Sequence, residues 1–412
     1  MALIGVVGAG IVGLACARAV AADGHDVTVL DRDPGGDRCS WGNAGGIGTS
    51  EVIPEASLRT LARLPRYLLD PLGPLAIRPA HLPALLPWLA GFAAAGRPAA
   101  YRGAASALAA LTGRAHADLE PLLAETGLGH LLVRAGALTV YRSRAGFAAD
   151  APAWELRRQL GIGWQALPGE ACRALEPALG RTVACGVLVP SWSQVRDPKA
   201  LWAGLLAQLR AAGVRIRAAE IADCDAEGRL RTAKGETHRF DTVVIAAGAW
   251  SGRLAARIGD RVLIEPERGY NTTIAEPGIS LSREVIFAAE RFVAAPLAPG
   301  LRIGGAAEFA GLDAPARLAR ARRLRRLARR YLPDLSDAPG TEWMGQRPAT
   351  PDSMPVIGLS PRSPRIAYAF GHGHLGLTLA ATTARLVSDL IAGRPPALDL
   401  APYAIGRFAG NR

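Results

Sequence analysis

The chain has 412 residues, half of them hydrophobic, a formal net charge of +12 and five cysteines. That length and apolar content exclude a small disulfide-stapled scaffold and a disordered polypeptide, and leave room for two domains. Cys16, Cys39, Cys172, Cys185 and Cys224 make no C-x-x-C pair, so they read as reduced thiols and no metal is expected.

The first predicted element is a strand at Leu3–Val7, which runs into Gly8-Ala9-Gly10-Ile11-Val12-Gly13. An Ala-rich helix follows, then an apolar run at 27–30 that ends on Asp31. Glycines spaced G-x-G-x-x-G between a strand and a helix, with an acid at the end of the next strand, predict dinucleotide binding. The first glycine turns the backbone, the second lets it approach a diphosphate, and the third lets the helix pack on the strand. The helix N-terminus offers N–H groups and a positive dipole end, and Asp31 is expected to accept from a ribose hydroxyl. The motif by itself leaves NAD and FAD both open. Because it begins at residue 3, no leader segment is expected.

The next stretch, Cys39-Ser40-Trp41-Gly42-Asn43-Ala44-Gly45-Gly46-Ile47-Gly48, reads as a backbone surface that can lie flat against a planar ring. Helices rich in Leu, Ala and Pro are expected from residue 61. Pro83 and Pro87 interrupt the apolar stretch 82–95, which falls short of the roughly 20 residues a spanning helix needs. It reads as a buried helix pair or as a surface for a membrane or partner. Ala137–Tyr141 alternates as a strand does. An amphipathic helix at 198–212 with Pro in its first turn, a strand at 214–217, a hairpin at 221–239 and a buried strand at 241–247 bring the nucleotide-domain pattern back.

From 258 to 310 the sequence alternates like an antiparallel sheet and contains Tyr270, whose phenol reads as a partner of Arg347 on one carboxylate or as a core residue with a satisfied hydroxyl. Arg317, Arg320, Arg322, Arg323, Arg325, Arg326, Arg329 and Arg330 then mark a basic helix striped with Leu318, Leu324 and Leu327. Its readings are a solvated face, attraction to anionic lipid or a respiratory partner, or contact with nucleic acid. Near the end, Arg347-Pro348 fits a bidentate clamp for a substrate carboxylate or a structural ion pair. The run Gly371-His372-Gly373-His374-Leu375-Gly376-Leu377-Thr378 opens a helix predicted to reach about 392. A helix N-terminus aimed at a flavin would stabilise the anionic reduced ring, which separates flavin from nicotinamide chemistry. His374, and less so His372, is placed to line a substrate pocket.

These residues together resemble the D-amino-acid oxidase/dehydrogenase superfamily of FAD enzymes, which includes glycine and sarcosine oxidases. The similarity spans nearly the whole length. It rests on Gly8–Gly13 with Asp31, on 43–46, on Ala246-Ala247-Gly248-Ala249-Trp250-Ser251, on Gly304-Gly305-Ala306-Ala307-Glu308, on Arg347-Pro348 with Pro351-Asp352, and on 371–378. The subgroup it most resembles is the bacterial D-amino-acid dehydrogenases, and within them those acting on D-hydroxyproline.

The resemblance implies an α/β, overall α+β, architecture: a Rossmann-type FAD-binding domain interleaved with an antiparallel-sheet substrate domain. The expected FAD segments are 1–60, 191–257 and 335–412, and the expected substrate segments 61–190 and 258–334. By resemblance Gly8, Gly10, Ile11, Val12, Gly13, Asp31 and Arg32 hold the ADP half, with Ile221 on the adenine side and Ala247, Gly248 and Trp250 at the diphosphate turn. Ser40, Asn43, Ala44, Gly45 and Gly46 line the flavin, as do Gly373, His374, Leu375, Gly376, Leu377 and Thr378.

Tyr270 and Arg347 would bind the carboxylate, with His374 near the reacting carbon. Sarcosine oxidases attach their flavin through a C-terminal cysteine; with no cysteine after Cys224, non-covalent FAD is expected here. The implied reaction oxidises the Cα–N bond of a D-amino acid, of D-proline or hydroxyproline type, to the imino acid, with a quinone or O2 as electron acceptor and no nucleic-acid partner. A cytoplasmic protein is expected, with a peripheral contact to the inner membrane face left open. Three alternatives stay open: an O2-using glycine or sarcosine-type amine oxidase, a flavin enzyme acting on a modified tRNA base, and a non-enzymatic dinucleotide-binding scaffold.

Overall fold

The structure, a computed structural model, describes residues 1–57, 60 and 73–409. Of the helices expected from residue 61, the part before residue 73 lies outside the described residues. A six-stranded sheet runs in the order Arg215–Ala218, Asp26–Asp31, Leu3–Val7, Thr242–Ile245, Ser363–Phe370, Val356–Ser360. All its pairings are parallel except the last. Its central strands are apolar on both sides because both faces are covered. Ile4, Val6 and Val29 pack against helices Ile11–Ala22, Pro198–Ala211 and Gly376–Ile391. Val7, Leu30 and Ile245 pack against helices Leu82–Ala95 and Ser251–Ile258 and against the small sheet that carries Cys224 and Leu230. Helix Pro198–Ala211 starts where Asp197 accepts from the N–H groups of Lys199 and Ala200, with proline in its first turn.

The second sheet is larger and mostly antiparallel, running Gly340–Ala349, Glu265–Ile274, Gly300–Phe309, Phe292–Leu297, Glu284–Phe287, Ala137–Tyr141, Cys185–Val189, Gln165–Pro168, with Leu75–Ile77 beside Gly300–Phe309. One face buries Leu138, Val140, Val285, Phe287 and Ile303 against Leu324, Ala328 and Tyr331. By the two-residue alternation of strands, Thr139, Glu284, Ile286, Val293 and Asn271 lie on the other face, toward a large cavity that they line.

Several elements differ from the sequence reading. Gly340–Ala349, expected in the nucleotide segment 335–412, pairs with Glu265–Ile274 over ten residues and is an outer strand of the second sheet. Helices Pro98–Thr112 and Ala115–Glu125, expected in the substrate segment, bury Leu108, Leu111 and Leu119 in the core over the six-stranded sheet. Proline does not break Leu82–Ala95: Pro83 sits in its first turn, and the helix continues past Pro87. Leu85, Trp88 and Phe92 face inward from it, while Leu82 and Leu86 are exposed. The hairpin expected at 221–239 is a three-stranded sheet.

The basic helix, Ala319–Ala328, is not purely a solvated face. Arg320 is buried and donates from Nη2 to the carbonyls of Gly73 and Ala307 at 2.8 and 3.0 Å. No helix among the described residues is long and apolar enough to cross a membrane.

Candidate active site

The first turn is built as its glycines require. Gly8 has φ +110, and a side chain there would collide with the Ala246 carbonyl oxygen. A Cβ at Gly13 would collide with the carbonyl oxygen of Gly8, so that glycine allows the helix to sit on the strand. At Gly10 an added Cβ would meet only Ser40 Oγ, at 3.8 Å, so open space lies in front of this turn. Asp31 closes the turn by accepting from Ala9 N–H at 2.6 Å and from Asp33 N–H at 2.9 Å. Ser40 Oγ accepts from Ile11 N–H at 2.9 Å. Arg32 stacks on the Trp250 ring, 3.8 Å from its centroid, which joins the end of the second strand to the turn after the fourth.

The other end of the site is tied together by backbone. Gly373 N–H donates to Pro348 O at 2.9 Å, and His372 bridges Ala349. The clamp strand and the histidine loop are therefore one unit. Thr378 Oγ1 accepts from Gly48 N–H at 3.0 Å and reaches Gly46 O at 3.3 Å, which fixes the start of helix Gly376–Ile391 against the glycine loop. Arg302 donates to the carbonyls of Trp41 and Asn43 and anchors the same loop from the second sheet.

One cavity of about 2160 Å³ runs between the two sheets. It exceeds the roughly 300–1,000 Å³ of a drug-sized pocket and has room for a dinucleotide and a substrate together. Every residue expected to hold the cofactor lines it except Gly13 and Gly45. Those two face backbone: Gly13 the Gly8 carbonyl, Gly45 the Val195 carbonyl. An open glycine turn at one end and a helix start with a flat glycine loop at the other fit the diphosphate and the ring of FAD.

Arg347 and His374 both line the cavity. Arg347 Nη1 donates to Glu267 Oε1 at 2.6 Å, its partner across the strand pair, and the side chain keeps 30% exposure. Tyr270 also borders the cavity, but of its two readings the core one fits, because its hydroxyl is already satisfied. Its hydroxyl donates to Glu308 Oε2 at 2.5 Å, accepts from Arg317 N–H, and the residue is 1% exposed. Glu267 pairs with Arg347 and Tyr270 pairs with Met344, so alternation puts Tyr270 and Arg347 on opposite faces of the sheet. They do not converge on one carboxylate.

His372 is buried and its Nε2 sits 2.9 Å from Thr383 Oγ1; burial pushes it down to about 3, so it is a neutral packing residue. His374 Nε2 lies 3.5 Å from Glu51 Oε2. The ring's exposure is to the cavity it lines. Burial would lower the His374 pKa, but the Glu51 partner and the charge of Glu55 outweigh burial and Arg347, and it is raised. Burial likewise opposes ionisation of Glu51, yet His374, Arg157 and Arg291 hold it below the ordinary carboxylate range. Beside them, Glu284 is pushed up to about 8 by burial and by the Glu51 charge. The sequence reading missed Glu51, Glu267 and Glu284; Glu51 lies on a loop and the other two on strands, and only the tertiary fold brings them to the cavity.

The family described as FAD dependent oxidoreductase matches residues 4–390. A D-amino-acid oxidase from Bradyrhizobium diazoefficiens is 37% identical over 98% of both proteins. The chain belongs to this family of FAD-dependent oxidoreductases. A D-amino acid dehydrogenase 2 from Ralstonia nicotianae is 35% identical over 98% of this chain and 100% of its own. Among solved structures, glycine oxidase from Geobacillus kaustophilus superposes with a TM-score of 0.76 over 99% of both proteins at 24% identity. L-proline dehydrogenase from P. horikoshii gives 0.75 at 19% identity, covering 98% of this chain and 97% of that one. These two share the fold of this FAD-dependent enzyme.

Proposed function

We propose that this flavoenzyme oxidises the Cα–N bond of a D-amino acid, with cyclic secondary amines of the D-proline or hydroxyproline type as its substrate class. The observation that carries the reading is Arg347 facing the cavity on a strand whose next residue is hydrogen-bonded to the His374 loop. A guanidinium has five donors. Glu267 engages one of them, and the rest of the fork is available for a carboxylate. The relatives named as D-amino-acid oxidase and dehydrogenase support D-amino acids as the broader substrate class.

In this reading Gly8, Gly10, Ile11, Val12, Asp31 and Arg32 hold the ADP half of FAD, and Ile221, Ala247, Gly248 and Trp250 flank it. Ser40, 43–46 and 373–378 surround the ring. Gly13 and Gly45 contribute by letting backbone pack behind them. Bound FAD supplies the hydride acceptor; the protein's own part is orientation, with the carboxylate held on Arg347 and the α-hydrogen presented to the ring. The imino acid then hydrolyses or rearranges off the enzyme.

The test is an anaerobic screen of the yellow protein against D- and L-amino acids and proline derivatives, following bleaching of the flavin. Bleaching by D-proline or hydroxyproline in preference to acyclic D-amino acids supports the full reading. Bleaching only by glycine, sarcosine or L-enantiomers overturns it. Oxygen uptake set beside quinone or dye reduction identifies the acceptor.

A further inference from the structure

Glu284 is 4% exposed, lines the cavity, and its Oε2 has no hydrogen-bond partner. A buried carboxyl oxygen without a partner is costly and is retained where a ligand completes it. The neighbours of this oxygen define a site. It occupies the space where a Gly46 side chain would stand, close enough to the indole N–H of Trp192 for that group to favour its ionised form, though neither atom completes a well-formed hydrogen bond. The adjoining edge of the same indole, with Cγ of Glu51, crowds Gly48. Glu284 and Glu51 therefore stand against neighbouring edges of the Trp192 ring, along the glycine loop that Thr378 pins. His374 contacts Glu51 and feels the charge of Arg347. Glu51 and Glu284 thus put two carboxyl groups in this part of the cavity, with the His374 imidazole on Glu51 and the charges of Arg157 and Arg291 acting on it.

We propose that Glu284, with Glu51 beside it, is the amine-receiving subsite of this cavity, its Oε2 accepting a hydrogen bond from the ammonium group of an amino-acid ligand. The inference deepens the functional reading and rests on it for the orientation of the substrate. The groups that face Glu284 are Glu51 and His374, with Arg157, Arg291 and Glu55 behind Glu51 and Arg347 beyond His374. An arriving cation favours the ionised form of Glu284, so its binding releases a proton wherever that acid is still protonated.

The test uses FAD-loaded enzyme and isothermal calorimetry, so no turnover is needed. 2-Methylalanine has no α-hydrogen and cannot be oxidised at Cα; 2,2-dimethylpropanoate replaces its ammonium by a methyl group of similar size. 6-Aminohexanoate and hexanoate form the second pair and probe an amine far from the carboxylate. Wild-type enzyme is expected to prefer the amine of one pair on the order of tenfold, and Glu284→Gln to abolish that preference while the amine-free acid binds as before. Preference in the first pair identifies the α-ammonium as the occupant, and preference in the second a side-chain amine.

A preference that survives Glu284→Gln, or is absent from both pairs, overturns the subsite. Should the variant not fold, the wild type still decides. Its preference must grow between pH 6 and 9 as Glu284 ionises, around about 8, and a flat preference overturns the proposal. Failure of the functional reading looks different: amine discrimination through Glu284 persists while no D-amino acid bleaches the flavin.

Discussion

The backbone N–H of Gly373 donates to the carbonyl of Pro348 at 2.9 Å, so the residue before His374 is fastened to the residue after Arg347. The chain segments that carry the guanidinium and the imidazole are thus joined through the main chain. A site held this way tolerates loss of one side chain without collapse of the other.

Arg347→Ala is accordingly expected to raise KM for an amino-acid substrate strongly and leave the FAD bound. Loss of a charge-paired clamp costs about 2–5 kcal/mol of transition-state binding. Steady-state kinetics with flavin content measured on the same preparation checks this; unchanged KM and kcat would remove Arg347 from the substrate site. Because Glu267 loses its cation in the variant, a urea titration alongside separates lost stability from lost binding.

Tyr270→Phe tests the opposite face of the same sheet. Its hydroxyl bonds to the buried carboxylate of Glu308, which Arg78 also contacts at 3.0 Å. The expected result is a loss of about 1–2 kcal/mol in urea unfolding with KM unaltered. A raised KM with unchanged stability would restore the tyrosine to the carboxylate site.

How much of this was legible in the sequence depended on separation along it. The turn from Gly8 to Gly13, its acid at Asp31 and the helix from Gly376 are local patterns, and local sterics specify them. Tyr270 and Arg347 both sit on strands of one sheet, but whether they share a face depends on register, which the residues near each one do not state. Glu51 and Glu284 belong to a loop and a strand far apart in sequence, and nothing near either marks it as a neighbour of the other. Strand Gly340–Ala349 was hidden because its pairing partner, Glu265–Ile274, lies far from it in the sequence.

His372 makes a prediction about acid stability. Its folded pKa is lowered by burial to about 3, against about 6.5 for an unfolded histidine. Between those values the unfolded state holds a proton that the native state lacks, so stability rises with pH across the window and is lost as pH falls from about 6.5 toward 3. The slope is about 1.4 kcal/mol per pH unit. Urea unfolding at pH 7 and pH 5, with FAD saturating, is expected to show wild type losing about 2 kcal/mol more than His372→Gln. Equal losses would mean that the imidazole titrates normally in the native protein.

The second and third glycines of the first turn predict opposite failures. A methyl at Gly13 meets the carbonyl oxygen of Gly8, so Gly13→Ala must push the helix Ile11–Ala22 away from its strand. Overpacking of this kind costs about 1–3 kcal/mol, and it should lower the melting temperature of the FAD-free protein. A methyl at Gly10 meets only Ser40 Oγ at 3.8 Å, so Gly10→Ala should melt with the wild type when FAD is stripped. Its defect should appear only on adding FAD, as weaker binding and a smaller thermal upshift, because the methyl stands where a diphosphate approaches the backbone. Thermal melts of the three proteins with and without FAD read both effects at once. If Gly10→Ala gains the full upshift, the diphosphate does not pass over Gly10.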